Sequence, residues 1–579
     1  MNRRTIFSWI LVVIGGLLLL AAVLVSNAGY HQALVTNPVR SLSWGPTLFR
    51  ALLAVHGLAL IAAGLIWQRN VQSAGFSRNA GNVQDIGLSR NTGIFLVVLS
   101  AVALTLRLFR LNTDLWFDEI LTLLDFVRLP MGDIVTSFPS QNQHMFFSVL
   151  SRISVVVFGE SAAAVRLPSV LFGVASLWAL FFLAKKVAGV RAALLTCTLL
   201  TFSYHHIWFS QNARGYMGLM FFTTLVTWLW MEAWERGGGW WVSYAVAAAL
   251  GAWIHMTMVF VVAAHCALYL VWLARPTLLG SNTEERNRNW WQPILAWTLC
   301  GTLTLQLYAL ALPEFLSAGL HETSEPSEWT TLWWMVKESV RSLRIGFSGL
   351  VILLAGGVMV ANGWLGLFKR NRMASLAMVV PAVFSGAVMV IMSHNIWPRF
   401  FFFLMGFGLL IAVYGALAVP QLLRWFVPAE RISDRLLTNA GVGLAVLMIV
   451  ASTLTIPRCY ALPKQDYTGA RDFVERSRHS DDAVVAVGLA GVAYSKYFAA
   501  QWPMWNEAQT QAELDAVRKG HSDVWLVYTI PIQVKAYRPD IWQAIESDFE
   551  VVKVFPGTLG GGEVFVCRQK STISQYRDR

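Results

Sequence analysis

The chain is short of charge. Only 13% of its 579 residues are Asp, Glu, Lys or Arg, about half the usual share for a soluble domain, which excludes a water-facing surface along most of its length. Acidic residues are the scarcer kind, 33 against 45 basic ones. The apolar runs hold almost no carboxylate that could carry coupling protons, and no paired Gly/Pro-broken segments mark a midplane site, so a secondary transporter is disfavoured. Five cysteines are too few and too scattered for a disulfide framework. Cys197, Cys266 and Cys300 fall in apolar runs, where a thiol acts as a small hydrophobe, whereas Cys459 and Cys567 fall in the region expected outside the membrane and can pair. The sequence also lacks a Gly-rich phosphate loop, a metal-ligand cluster, a repeat of fixed period and any Asn-x-Ser/Thr acceptor.

What fills the space is apolar and aromatic: 56% hydrophobic residues, 26 Trp and 34 Phe, with a mean hydropathy of +0.53. A bilayer core of roughly 30 Å needs about 20 apolar residues per helix. Thirteen stretches qualify, near 7–25, 47–67, 94–111, 163–184, 190–207, 215–234, 240–256, 258–274, 291–313, 347–368, 374–393, 400–420 and 436–455. With the N-terminus inside, the short connections carrying Arg3 and Arg4, Arg69, Arg78 and Arg90, Lys185, Lys186 and Arg191, Arg275, Arg286 and Arg288, Lys369, Arg370 and Arg372, and Arg424, Arg431 and Arg435 all become cytoplasmic. The segment 313–329, with Glu314, Glu322, Glu325 and Glu328 and no Lys or Arg, then lies on the outer face. The net charge of +12 is thereby absorbed by membrane orientation and calls for no nucleic acid. Met1–Val25 has the pattern of a signal sequence but is expected to stay as an anchor.

One apolar run is not counted. QHMFFSVLSRISVVVFG, residues 143–159, is short for a crossing and carries Arg152 in its middle, so it reads as a helix lying in the interface. It belongs to one long outer loop, 112–162. After Pro457 the pattern changes: DAVVAVG, DVWLVY, FEVVKVF and GEVFVCR read as strands, with helices near 467–478, 510–520 and 538–548 and a capping box at Thr510 and Glu513. The expected organisation is an N-terminal two-span extension with a cytoplasmic loop (1–93), a membrane body (94–455) and a small, mainly parallel α/β domain outside the membrane (456–579). This is a mainly α, polytopic membrane protein of about thirteen spans in a plasma (inner) membrane, its C-terminal domain periplasmic or extracellular.

The stretch LWFDEILTL, residues 115–123, sets Asp118 and Glu119 together just beyond an apolar helix. An acidic pair at a membrane surface is by itself as well explained by a solvated loop. Here Leu115, Trp116 and Phe117 before it and Ile120, Leu121 and Leu123 after it predict burial of the segment, which makes a carboxylate facing a cleft a candidate for taking a proton from, or orienting, an acceptor hydroxyl.

Together with RLFRLNTDLWFDE, the segments QNQHMFFSVLSRISVVVFGESAAAVRLPSVLFG and SQNARGYMGL resemble the GT-C class of polyprenol-phosphate-sugar glycosyltransferases, within it the bacterial relatives of protein O-mannosyltransferases and the aminoarabinose transferase of lipid A. The resemblance spans about residues 94–455. It implies an interfacial helix, a catalytic Asp at 118, a supporting acid at 119, and transfer from a polyprenyl-monophosphate sugar to a glycan, lipid or protein acceptor; attack on the anomeric carbon from the face opposite the phosphate predicts inversion. Two positions depart from the pattern: relatives often have His followed by two prolines where this chain has His144, Met145 and Phe146, and often a Glu where it has Asn212.

A phosphate leaving an anomeric carbon needs positive charge and donors at the surface, which Arg supplies in a fork. Arg214, with Tyr216 beside it, and Arg399, with His394 close by, both fall at outer ends of spans and are the candidates for the donor phosphate. His144 and His255 are further candidates to line the cleft. No cofactor is required, although Asp118, Glu119 and His144 are ligand types for a divalent ion. A catalytically inactive relative that scaffolds a cell-envelope assembly would share these residues.

Overall fold

The computed structural model describes residues 3–37, 40–73, 87–279, 290–319, 331–343, 350–428, 431–499, 505–521 and 523–570. Arg78, Arg286, Arg288, Glu322, Glu325 and Glu328 lie outside them. The chain is mainly helical, and each of the thirteen predicted stretches holds a helix. Seven described helices are long and apolar enough to cross a membrane by length and composition. The helices Val190–Thr201, Gly239–Ile254 and Met258–Ala274 are apolar but shorter.

The stretch 190–207 is not one helix. Val190–Thr201 stops and Tyr204–Ser210 begins, with Ser203 as its N-cap accepting the His206 N–H. At the end of the first helix the carbonyls of Leu200 and Thr201 also accept from Arg107, fully buried, whose guanidinium donates to both at 3.3 Å and also reaches Ala103 O and His206 Nδ1. A buried arginine in a membrane helix is thus spent on helix ends.

The two N-terminal spans pack closely. A Cβ at Gly57 would lie 2.8 Å from the carbonyl oxygen of Gly15, and one at Gly15 2.6 Å from that of Gly57, so only glycine lets Arg3–Leu24 and Gly45–Ser73 approach this far. Their connection reaches the long loop: Thr36 donates to Asp133 and Arg40 pairs with Glu314 at 2.9 Å, while Glu314 also accepts the Phe138 N–H at 2.9 Å.

The loop itself is mostly helical. Phe117–Thr122 runs into a wide turn at Leu123–Val127, followed by Met131–Thr136 and Met145–Phe158. The last of these is the predicted surface helix. It buries Met145, Phe147, Ser148, Ser151, Ser154 and Val155 and exposes Ile153, Val156, Val157 and Phe158, and Arg152 is half-buried beside the Val127 carbonyl.

After the helix Asp434–Ala461 the chain builds a five-stranded sheet: β1 Ala483–Val487, β2 Asn506–Ala508, β3 Val524–Thr529, β4 Phe549–Phe555 and β5 Val564–Gln569, in the order β2-β1-β3-β5-β4. Pairs β1–β2 and β1–β3 are parallel, whereas β3–β5 and β4–β5 are antiparallel, so the sheet is mixed and not mainly parallel. The reason is the connection 556–563, too short for a crossover of about a dozen residues. The capping box forms as expected, Thr510 accepting from Glu513 N. Cys459 and Cys567 are both free: the first packs by Tyr204 and Ile456, the second in the core of the sheet domain.

Candidate active site

Asp118 lies in the first turn of the six-residue helix Phe117–Thr122, and its side chain keeps 17% exposure. A helix this short does not hold itself together; its neighbours fix it. Two arginines distant in sequence point at the same oxygen: Arg399 Nη1 is 3.3 Å and Arg214 Nη2 3.9 Å from Asp118 Oδ2. Arg214 comes from the turn before the helix Tyr216–Arg236, and Arg399 from the 3₁₀ segment Pro398–Leu404 that opens its span. Asn142, in the loop, accepts from Arg214, and the rings of Trp397, Phe400 and Trp116 stand 4.8, 5.8 and 6.0 Å from the Arg399 guanidinium. One carboxylate and two guanidinium groups therefore meet at one place, with Asp118 and Arg399 partly exposed.

Glu119 faces the other way. It has no exposed surface and its oxygens accept from Arg166 Nε at 2.9 Å and Nη2 at 2.6 Å, from Lys464 Nζ at 3.0 Å, and from the N–H groups of Ala213 at 2.7 Å and Trp116 at 3.2 Å. Burial alone would raise its carboxyl, but Arg166 and Lys464, with the hydrogen bonds from Arg166 and Ala213, outweigh that and hold it at about 2. Burial lowers the Lys464 ammonium to about 7, against the opposing pull of Glu119. With every lone pair engaged behind the cleft, Glu119 organises the site and has no oxygen left for a reacting group or a metal. Among the described residues no group of three or more His, Cys, Asp or Glu could hold an ion.

His144 caps the surface helix and is buried; its ring stacks on His255 at 4.7 Å and meets Tyr216 edge-on at 5.7 Å. Burial, then the positive charge of Arg214, keeps its imidazole well below the ordinary range, hence neutral. Arg214 lies 5.7 Å from the Tyr216 ring, so His144, His255 and Tyr216 form an aromatic floor under that arginine. His394 sits on the Arg399 side, its Nε2 2.9 Å from Gln141 Oε1. Asn212 accepts from the Trp116 indole at 3.2 Å.

Sequence reasoning missed Arg166, Lys464, Gln465 and Asn142. Arg166 lay in the R-L-P-S segment that carried the family resemblance, with no role attached. Beyond Glu119 it donates to the carbonyls of Leu111, Thr113 and Asp114, each at 2.8 Å, and so fixes the chain leading into the acidic pair. Lys464 and Gln465 sit 345 and more residues away, near the start of the segment 456–579 expected to form a separate domain, and drew no role.

Among known proteins, residues 143–283 match the family model for dolichyl-phosphate-mannose-protein mannosyltransferases. No curated protein matches. Among solved structures, ArnT from Cupriavidus metallidurans in the apo state is similar at 15% identity over 83% of this chain and 98% of that one, with a TM-score of 0.46. The same enzyme bound to undecaprenyl phosphate aligns at 15% identity over 83% and 99%, with a TM-score of 0.43. The archaeal oligosaccharyltransferase AglB from Archaeoglobus fulgidus, in complex with an inhibitory peptide and a dolichol-phosphate, aligns at 9% identity over 82% and 74%, with a TM-score of 0.49. The matched segment, residues 143–283, carries the likeness to that mannosyltransferase family and includes His144, Arg166, Arg214 and His255.

Proposed function

We propose that the protein transfers a sugar from a polyprenyl-monophosphate carrier to an acceptor on the extracytoplasmic face of the membrane, with inversion at the anomeric carbon. The membrane body 94–455 does the chemistry, and the domain after residue 456 forms the outer wall of the site. The observation that carries this reading is the meeting of Arg214 and Arg399 on Asp118, 3.9 and 3.3 Å from one carboxylate oxygen. In the reaction the acceptor's nucleophilic atom bonds to the anomeric carbon as the bond from that carbon to the phosphate oxygen breaks. The acceptor proton passes to Asp118, and the electron pair leaves with the polyprenyl phosphate. Negative charge grows on that phosphate, and the two guanidinium groups, already held together beside Asp118, stabilise it.

The scheme needs no metal. The sugar and the acceptor are left to experiment; the class of donor is read from the charge balance, since Arg214 and Arg399 with Asp118 carry one net positive charge, the complement of a lipid phosphodiester.

Arg214→Lys and Arg399→Lys keep the charge and remove the fork. Each is expected to raise the donor KM by about 10- to 100-fold, the equivalent of one charge-assisted hydrogen bond. Titrating polyprenyl-phosphate sugar into the purified variants in lipid checks this; unchanged donor KM and turnover in both would overturn the phosphate assignment.

A further inference from the structure

Resting on that transferase reading, we infer that Lys464 and Gln465, on the segment joining the last membrane helix to the C-terminal domain, are positioning residues that set the Asp118 carboxylate for reaction. Asp118 is bracketed from one dipeptide. Gln465 Oε1 accepts the N–H of Phe117, the residue before it, at 2.8 Å, and Lys464 Nζ donates to Glu119, the residue after it, at 3.0 Å. The Phe117 N–H is one of the first-turn donors that a helix leaves open. A partner from 348 residues away closes it.

The dipeptide is itself held by the domain. Gln465, fully buried, passes its amide to Thr529 Oγ1 at 2.9 Å, at the end of β3, and accepts from Tyr467 at 3.2 Å. Thr529 bonds on to the carbonyl of Glu563 at 3.0 Å. On the Lys464 side, the loop after β4 runs along the backbone: Leu559 N donates to Lys464 O at 3.1 Å and Thr558 N to Pro463 O at 2.9 Å. A Cβ at Gly557 would collide with the Lys464 carbonyl at 2.2 Å, so this approach admits only glycine. On the membrane side, Lys464 also donates to the Gln211 carbonyl and lies 4.9 Å from the Trp208 ring. Among the described residues, this bracket reaches Asp118 through its neighbours Phe117 and Glu119.

A positioning role predicts a split that loss of folding does not. In Gln465→Met and Lys464→Met, kcat is expected to fall by about 10- to 100-fold, the effect of a displacement of the order of 1 Å, while donor KM stays within about two-fold, because Arg214 and Arg399 are untouched. Lys464→Arg, which keeps a cation beside Glu119, is expected to recover most of the turnover. Hydrogen exchange read on the peptide containing Phe117 is expected to be faster in Gln465→Met than in wild type, at equal melting temperature. Since exchange needs no donor, an inactive wild type would sink the transferase reading alone. Unchanged Phe117 exchange in Gln465→Met, unchanged kcat in both Met variants, or kcat and KM failing together with Lys464→Arg no better than Lys464→Met, would overturn the positioning role.

Discussion

Asp118→Asn is expected to cut turnover by about 10²- to 10⁴-fold, the usual contribution of a positioned general base, while donor binding holds or tightens. The asymmetry follows from the ion pairs. Asp118 shares Arg214 and Arg399 with any phosphate in the cleft, so removing its charge leaves both guanidinium groups freer to bind the donor. A side chain needed only for folding would show the opposite, with loss of stability and of donor binding together. Single-turnover transfer with a labelled donor, run beside a donor-binding assay on the same preparation, separates the two outcomes.

Glu119→Gln is expected to fail in a different way, as a loss of protein. Its carboxylate is the common partner of two buried cations, Arg166 and Lys464, with side-chain exposures of 1% and 7%. Removing one member of such a set leaves charge buried without compensation, at a cost of about 3–5 kcal/mol. Thermal unfolding in detergent should show a clearly lowered midpoint for Glu119→Gln and almost none for Asp118→Asn, although the two residues are neighbours. The same linkage gives a pH signature. The folded carboxyl is held at about 2 against an ordinary 4.5, so its stabilisation is complete above about 4.5 and is lost as the pH falls towards 2. That acid-side loss of stability should be smaller in Glu119→Gln, which has no proton to take up there. Equal acid sensitivity in the two proteins would count against the buried network.

The parts of this site that could be read from sequence are those signalled by local contrast. An acidic pair inside an apolar segment stands out in a chain with 33 acidic residues, and arginines at the outer ends of spans stand out against Trp and Phe. Hence Asp118, Arg214 and Arg399 were legible as candidates, but their meeting on one oxygen was not, because it depends on how three helices pack. That Asp118 and Glu119 take different roles was an expectation of the family resemblance; in the structure the roughly 100° between adjacent helix positions leaves the Asp118 side chain 17% exposed and turns Glu119 into the protein. Lys464 and Gln465 gave no local signal at all. Their segment, LPKQD, has the composition of a linker, and their partners lie across the fold.

The same logic sorts the fold. Thirteen apolar stretches gave thirteen helical regions because lipid forces the backbone to bond within itself. The break at Phe202 and Ser203 was hidden because the apolar run continues across it, and of its two supports only the Ser203 N-cap is local, whereas Arg107 reaches it from another helix. Strand β2 is three residues long and only partly buried, below the length at which alternation can be seen. The antiparallel hairpin of β4 and β5 was legible in principle, from the glycines at 557 and 560–562 between two short strands; those residues mark a turn, not a crossover.

The most direct test of the account uses the protein in sealed vesicles of known orientation, supplied with labelled polyprenyl-phosphate sugars on the side of the C-terminal domain and, separately, with labelled nucleotide sugars on the opposite side, each with membrane extract as acceptor. The account predicts that label moves to acceptor from a lipid-phosphate donor only, on the side of the C-terminal domain. Label moving from a nucleotide sugar at the other face, or from no lipid-phosphate donor in the panel, would contradict it.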